Sequence, residues 1–449
     1  MKCASCEREN RQDANYCDAC GRELAALIID DGGTSGKTGP LDGIRVIDWT
    51  AYQFGPVSTM MLADLGAEVI KVEAPAGDYI REMTWPIIDG VSLLHLHVHR
   101  GKKSITLDLR TPEGAQIYKD LVREADVVIE AMRPGALAKR GLGYEDLKAI
   151  NPKIVFCNLS GYGATGPYRD LPAHGIAFDT WGGVIKAEVD DEGFAYIPEH
   201  ASIGMHAGPM FGAMGILAAV IRARETGEGC ELEVGQSDST AYMDWYRIES
   251  WLAYERPEEV VTGNKADDYV RRAPGTAGMR EGVRYQMYEA SDGYVLFMAS
   301  EQAFWKNFCE CIGRLELFEK WPGSKFADHA RNNRELQAIL RDVFKTKSCD
   351  EWLRLGDEKN FPIAPVNTPK SITEDPQFKD RFPLYPHKEH GADMLPFPVR
   401  FPGEELPKPS WAPTVGQQTE EVMREVLGVD EEALERLREA GAFGSKKDG

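Results

Sequence analysis

The sequence predicts an α/β protein built on a parallel, doubly wound sheet, on three observations. Short β-branched runs alternate with helical stretches from Leu41 to about Thr240. The first unit, Leu41 to Arg81, reads strand, loop, helix, strand, which makes its strands parallel with a right-handed crossover. The balance of 43% hydrophobic and 28% charged residues over 449 residues is that of a globular protein of two or three domains.

The N-terminal segment stands apart. Cys3-x2-Cys6 is followed, after ten residues, by Cys17-x2-Cys20. Two such knuckles present four thiolates to one tetrahedral zinc. A segment this short has no core of its own, so the metal would supply its folding energy. Residues 1–24 are therefore expected to be a structural zinc ribbon, and residues 25–40, rich in Gly, Ser and Thr, a linker.

The body then follows in order. Ile44 to Asp48 is a strand, Gly55-Pro56 opens a helix carrying Met60, Met61 and Leu65, and Glu68 to Val72 is the second strand. Further strands are expected at Ser104–Leu107, Val127–Ile129, Ile154–Cys157 and Glu231–Val234, with a helix from Gly114 to Ala125. A long small-residue helix runs from Gly204 to Arg224, and its Met210, Met214 and Leu217 stripe reads as core. From Trp245 to Val366 the character changes to a smaller α+β domain. It has a glycine-rich loop at 267–282, a strand at Tyr294–Met298 and helices at Gln302–Ile312 and Asn332–Phe344. The tail 414–440 is a charged amphipathic helical region.

A formal charge of −20 argues against nucleic acid as the main partner. No apolar run of membrane length is read, so no membrane partner is expected. The opening MKCASCEREN resembles neither a signal nor a transit peptide, and an odd count of nine cysteines suits a reducing compartment. The expected location is cytoplasmic.

The ordered motifs LDGIRVIDWT, LADLGAEVIKVEAP, GDYIR, GKKSITLDLRTPEG, ADVVIEAMRPGALAKRGLGYEDL and NPKIVFCNLSGYGATGPY resemble the family III CoA-transferases. That group includes formyl-CoA:oxalate and carnitine CoA-transferases and the α-methylacyl-CoA racemases. The resemblance runs from Leu41 almost to the C-terminus. It implies a Rossmann-like large domain built from both chain ends, 41–244 and 367–449, a small domain inserted at 245–366, and an interlocked dimer. It implies coenzyme A as the substrate thioester, with an acyl-CoA and a carboxylic acid as partners. The ribbon is not typical of the family.

By the same resemblance, Ala51, Tyr52, Gln53 and Phe54 form the loop lining the CoA arm, with Gln53 placed to hydrogen-bond a thioester or oxyanion. Lys103 matches a basic residue before a strand, Lys139 falls near the phosphates, and Ala131 and Met132 fall at the adenine slot. Lys71 and Arg81 are further phosphate candidates, against the plain reading of surface charges.

The resemblance also implies a nucleophilic aspartate, which attacks the thioester carbonyl and is carried through an anhydride and an enzyme–CoA thioester. It should stand four residues before the glycine opening the long helix. Taking that glycine as Gly204, the position is His200, preceded by Glu199. Three readings stay open. Glu199 is the nucleophile, aided by His200 and Gln53. Or the chain is a non-nucleophilic subunit of a heteromer, as in benzylsuccinate CoA-transferase, with a related partner carrying the aspartate. Or the site does racemase or isomerase chemistry through His174, with Asp179 standing in for the acid replaced by Gly175. His95, His97 and His99 alternate as on one strand face, a geometry that can approach a metal. Trp181, Tyr242, Trp245 and Tyr246 shape an apolar acyl pocket or serve as packing.

Overall fold

The computed structural model describes residues 39–265, 269–271, 279–325 and 327–444. The four N-terminal cysteines, the ribbon and nearly all of the linker lie outside them, as does most of the 267–282 loop. The described chain divides into two compact units. One runs to Met243 and resumes at Leu384; the other is Asp244–Pro383. The return thus comes at Leu384, later than the residue 367 expected from sequence.

The first unit holds six parallel strands: β1 (Arg45–Trp49), β2 (Glu68–Glu73), β3 (Lys102–Thr106), β4 (Val127–Glu130), β5 (Val155–Ser160) and β6 (Cys230–Gly235). Their spatial order is β3-β2-β1-β4-β5-β6, every neighbour parallel. This is the doubly wound order whose direction of winding reverses between β1 and β4, so a crevice opens at the carboxyl ends of those two strands. The strands are Val- and Ile-rich because both sheet faces are covered. Helix α1 (Phe54–Asp64) and the long α2 (Gly204–Thr226) share one face with Val46, Val69, Ile129 and Leu159. Residues from Pro112–Arg123 and the C-terminal helices Thr419–Glu425 and Glu431–Glu439 cover the other face. The tail is therefore two short helices, and the C-terminal part of the chain completes the core of this unit.

By length and composition alone α2 is apolar enough to cross a membrane, which the sequence reading did not register. Its packing explains the composition: Ala213, Ile216, Ala219, Val220 and Ala223 are core residues, and Ser58 of α1 donates to the Pro209 carbonyl at 2.9 Å. The Met210 and Met214 stripe does not face the core as expected; these side chains are 53% and 58% exposed. Glycine and alanine make up most of the packed face, with Ile216 and Val220 among them, because two helices and a sheet approach closely there.

The second unit pairs Gln286–Glu289, Tyr294–Phe297 and Ile363–Pro365 as an antiparallel sheet. Phe297, Trp305, Phe308, Phe344 and Trp352 form its core.

Candidate active site

The turn after β1 is anchored from below by a buried charge network. Asp48 pairs with Lys102 at 3.1 Å, both side chains fully buried, and accepts from the Thr50 and Thr59 hydroxyls. Burial pushes the Asp48 carboxyl up, but Lys102, Lys71 and the two hydroxyls outweigh it, so its pKa falls to about 2. Lys71 donates to the Thr50 carbonyl at 2.5 Å and lies 3.4 Å from Asp78. Asp78 accepts the Tyr52 backbone N–H at 3.0 and 3.2 Å. That bond holds Tyr52 at φ +68°, a left-handed conformation that strains a residue of this size. The ring consequently stacks on Tyr79, centroids 5.5 Å apart.

Above this network lies a cavity of about 390 Å³ at the β1/β4 crevice. Ala51, Tyr52, Gln53 and Phe54 form one wall, and Ala131, Met132 and Arg133 another. The ends of β5 and β6 contribute Ser160, Gly161, Tyr162 and Gln236, and the first turn of α2 contributes Met205. Met205 packs on Gly175, where an added Cβ would lie 2.6 Å from the sulfur. His174 also lines the cavity, exposed. Among the described residues the single carboxylate of this lining is Asp170, which is exposed beside Arg169 at 3.7 Å.

A second cavity, about 700 Å³, lies beyond Met132, which lines both. Trp49, Ala74, Pro75, Leu109 and Leu137 give it apolar walls; Arg140 also lines it, as do Asp108 and Arg110, which pair with each other at 2.7 and 2.8 Å. Beneath Met132 sits Glu130, 2% exposed, accepting from the Met132 N–H at 2.7 Å and from the Asn158 amide. Burial raises its pKa to about 7, with the Glu231 charge adding to the rise.

The structure brings together Ala51, Tyr52, Gln53, Phe54, Ala131 and Met132, but places other candidates elsewhere. Lys71 is 1% exposed and consumed by Thr50 and Asp78, so it is a structural cation, not a phosphate contact. Arg81 grips Glu73 with both nitrogens, at 2.6 and 2.9 Å. Lys103 pairs with Glu68 at 3.1 Å and Glu421 at 2.9 Å on the outer edge of the sheet. Lys139 is exposed, and its neighbour Arg140 is the residue that reaches a cavity. Glu199 is exposed and, with His200, stands outside the crevice lining; His200 Nδ1 lies 2.9 Å from the Pro198 carbonyl. Asp179 is spent on the start of α2, accepting from Ser202 Oγ, the Ile203 N–H and the Gly204 N–H. It therefore cannot act as the free partner of His174. His95, His97 and His99 sit on a helix, Leu93–His99, not a strand. His95 and His99 lie one turn apart with ring centroids 4.7 Å from each other and planes tilted by 42°, while His97 turns to Arg100. Trp181, Tyr242, Trp245 and Tyr246 are exposed and line neither cavity.

Sequence reasoning missed Met205, Ser160 and Gln236. Ligands gather at the carboxyl ends of parallel strands, and that rule applied to β5 and β6 would have found Ser160 and Gln236.

Fold and site define an α/β protein with a crevice at the carboxyl ends of a parallel, doubly wound sheet. The family model of CoA-transferase family III matches residues 41–419. The chain is 31% identical over 410 residues to the succinyl-CoA:glutarate CoA-transferase of Homo sapiens, covering 90% of this chain and 89% of that one. It is 30% identical over 414 residues to the succinyl-CoA–L-malate CoA-transferase beta subunit of Chloroflexus aurantiacus, covering 91% and 98%. A crystal structure of a CAIB/BAIF family protein from Brucella suis superposes with a TM-score of 0.70 at 29% identity, covering 87% of this chain and all of that one. This chain belongs to CoA-transferase family III.

Proposed function

We propose that this chain moves CoA between an acyl-CoA thioester and a carboxylic acid in the β1/β4 crevice. The single observation that carries the reading is that two neighbouring cavities share Met132 in their lining, one at the strand ends and one beside Arg110 and Arg140. The thioester end fits beside Gln53, Ser160 and Gln236, and the nucleotide end beside Arg110, Arg140 and Trp49. Transfer needs a carboxylate to attack the thioester carbonyl, releasing CoA thiolate and leaving an anhydride. The thiolate attacks the enzyme-side carbonyl of that anhydride, freeing the donor acid and leaving an enzyme–CoA thioester. The acceptor carboxylate then attacks this thioester, and the released thiolate attacks the acceptor carbonyl of the new anhydride, giving the new acyl-CoA and restoring the enzyme carboxylate. Gln53, 8% exposed, is placed to stabilise the oxyanion.

The carboxylate has two sources in this reading. Glu199, with His200 beside it, has to enter from its exposed segment. Alternatively, the chain is the non-nucleophilic subunit of a heteromer, a reading favoured by a described crevice lining whose single carboxylate is the exposed Asp170. Intact mass after incubation with acyl-CoAs separates them. An adduct mapped to Glu199 supports the first, and full turnover by Glu199→Gln removes it. Intact CoA binding without an adduct, together with co-purification of a related chain, supports the second. A racemase reading is weaker, because no carboxylate of the described lining besides exposed Asp170 accompanies His174.

The pocket wall gives a further expected result. A Cβ on Gly208 of α2 would lie 2.4 Å from the Phe54 ring. Gly208→Ala should push that ring into the crevice and weaken acyl-CoA binding by about tenfold, in equilibrium dialysis, with little change in melting temperature. Unchanged affinity would place the acyl arm elsewhere.

We also propose that Cys3, Cys6, Cys17 and Cys20 hold one structural zinc, tested by metal content of the purified chain and of Cys3→Ser/Cys17→Ser. An interlocked dimer, or heteromer with a related subunit, and a cytoplasmic location complete the reading.

A further inference from the structure

The second cavity carries fewer cations than its proposed occupant needs. Among the described residues its charged lining is Arg110, Arg140 and Asp108. Asp108 holds Arg110 at 2.7 and 2.8 Å, so one aspartate stands against the two arginines. A phosphomonoester alone carries a charge of about −1.5 to −2, and a pyrophosphate adds to that. The formal charge of the whole chain, −20, gives an anion no general attraction, so the cations have to be supplied locally.

The chain brings two more to the cavity wall. After the helix Glu431–Glu439 the backbone turns at Gly441, φ +72°. The residues beyond it are pinned. The Asp108 N–H donates to the Ala442 carbonyl at 2.7 Å, Ala442 is fully buried, and Phe443 packs on the sheet core. Gly444 then lines the cavity against the turn after β2, where an added Cβ would lie 2.3 Å from Pro75 Cβ. That contact and a φ of +92° leave the position to glycine. The described chain stops there, and Ser445-Lys446-Lys447-Asp448-Gly449 follow in the sequence.

Lys446 and Lys447 are thus two and three residues beyond a residue of the wall. Such a stretch spans at most about 7–11 Å, and each lysine adds a flexible four-carbon stem. Both ammonium groups can therefore reach an anion seated between Arg110, Arg140 and Pro75. Lysine binds phosphate as a point charge with three donors and needs no fixed fork geometry. Asp448 follows the pair, which leaves two lysines to one aspartate in the segment.

We propose that Lys446 and Lys447 are phosphate ligands for the nucleotide end of CoA at the second cavity. This rests on the reading of that cavity as the nucleotide site.

The test measures equilibrium binding of CoA and 3′-dephospho-CoA to the full chain and to Lys446→Ala/Lys447→Ala. Lys119→Ala/Lys153→Ala removes the same charge elsewhere and serves as the control, with melting temperatures to check folding. The Lys446/Lys447 variant should bind CoA at least about fivefold more weakly than the wild type, and the difference should shrink as salt rises. A loss confined to CoA identifies the 3′-phosphate as the partner, and an equal loss with dephospho-CoA identifies the pyrophosphate. CoA affinity within about twofold of the wild type, or an equal loss in the control variant, overturns the inference alone. No binding of CoA by the wild type overturns the reading of the cavities and this inference with it.

Discussion

Glu130→Gln should stabilise the protein by about 3 kcal/mol at pH 8 and by less than about 1 kcal/mol at pH 5. Glu130 is 2% exposed, and burial raises its pKa from 4.5 to about 7. The folded protein keeps this proton up to about pH 7, whereas the unfolded chain loses it near pH 4.5. Between those values the folded state binds more protons, so stability falls as pH rises, and above about pH 7 the loss is complete. Glutamine removes the charge, keeps one oxygen for the Met132 N–H, and turns its NH2 to Asn158, whose side-chain amide must flip so that its otherwise unpartnered Oδ1 accepts. Because Met132 keeps its anchor, CoA binding should survive the change. Urea unfolding at the two pH values decides the matter. An equal effect at both would mean that Glu130 is not held protonated near neutrality.

Lys102→Met should cost about 3–5 kcal/mol, the largest loss expected from a single substitution at the network under the crevice. Lys102 Nζ lies 3.1 Å from Asp48 Oδ2, 2.9 Å from the Pro56 carbonyl and 2.7 Å from Thr59 Oγ1, in a site with no solvent access. Methionine fills the space but removes the ion partner of Asp48, leaving a buried carboxylate to the more distant Lys71 and two hydroxyls. A buried charge that loses its partner is what makes such a break severe. The acid limb provides an independent check. Asp48 is depressed to about 2 in the folded protein, so its contribution is present above the unfolded value of 3.8 and is lost as pH falls toward 2. In Lys102→Met that acid-dependent loss should shrink. Asp48→Asn/Lys102→Met should recover at least about 1 kcal/mol over the single variant, since the orphaned charge is gone. A single variant with a wild-type urea midpoint would show that the pair does not hold the turn.

The site was partly legible before the fold was known. The strand-end position of Ala51 to Phe54 follows from a parallel unit whose ligands gather at carboxyl ends. Ala131 and Met132 came from a motif resemblance, and the structure sets them across the crevice from that loop. The cations were not legible, because Lys71, Arg81, Lys103 and Lys139 are equivalent in sequence until their partners are known. Asp78, Glu73 and Glu421 claim the first three, and their pairings depend on strand register and on a C-terminal helix far away in the chain. The histidine row failed on periodicity: HLHVH fits a strand, yet Ser92 caps a helix there by accepting the His95 N–H.

By itself, the sequence determined the class of fold, the parallel strands, the family and the cysteine pattern, since these rest on local periodicity and on ordered motifs. Tertiary structure alone decided which charges are buried, which face of α2 is packed and which residues meet in the crevice. Met205, Ser160 and Gln236 come from different elements, and only the sheet order and the close approach of α2 at Gly208 bring them to one cavity. Glu199, chosen by its distance along the chain from Gly204, is exposed, and the backbone N–H groups that start α2 are satisfied by Asp179 instead. Spacing along a chain specifies a helix start, but the direction in which its first side chains point is set by what packs behind it.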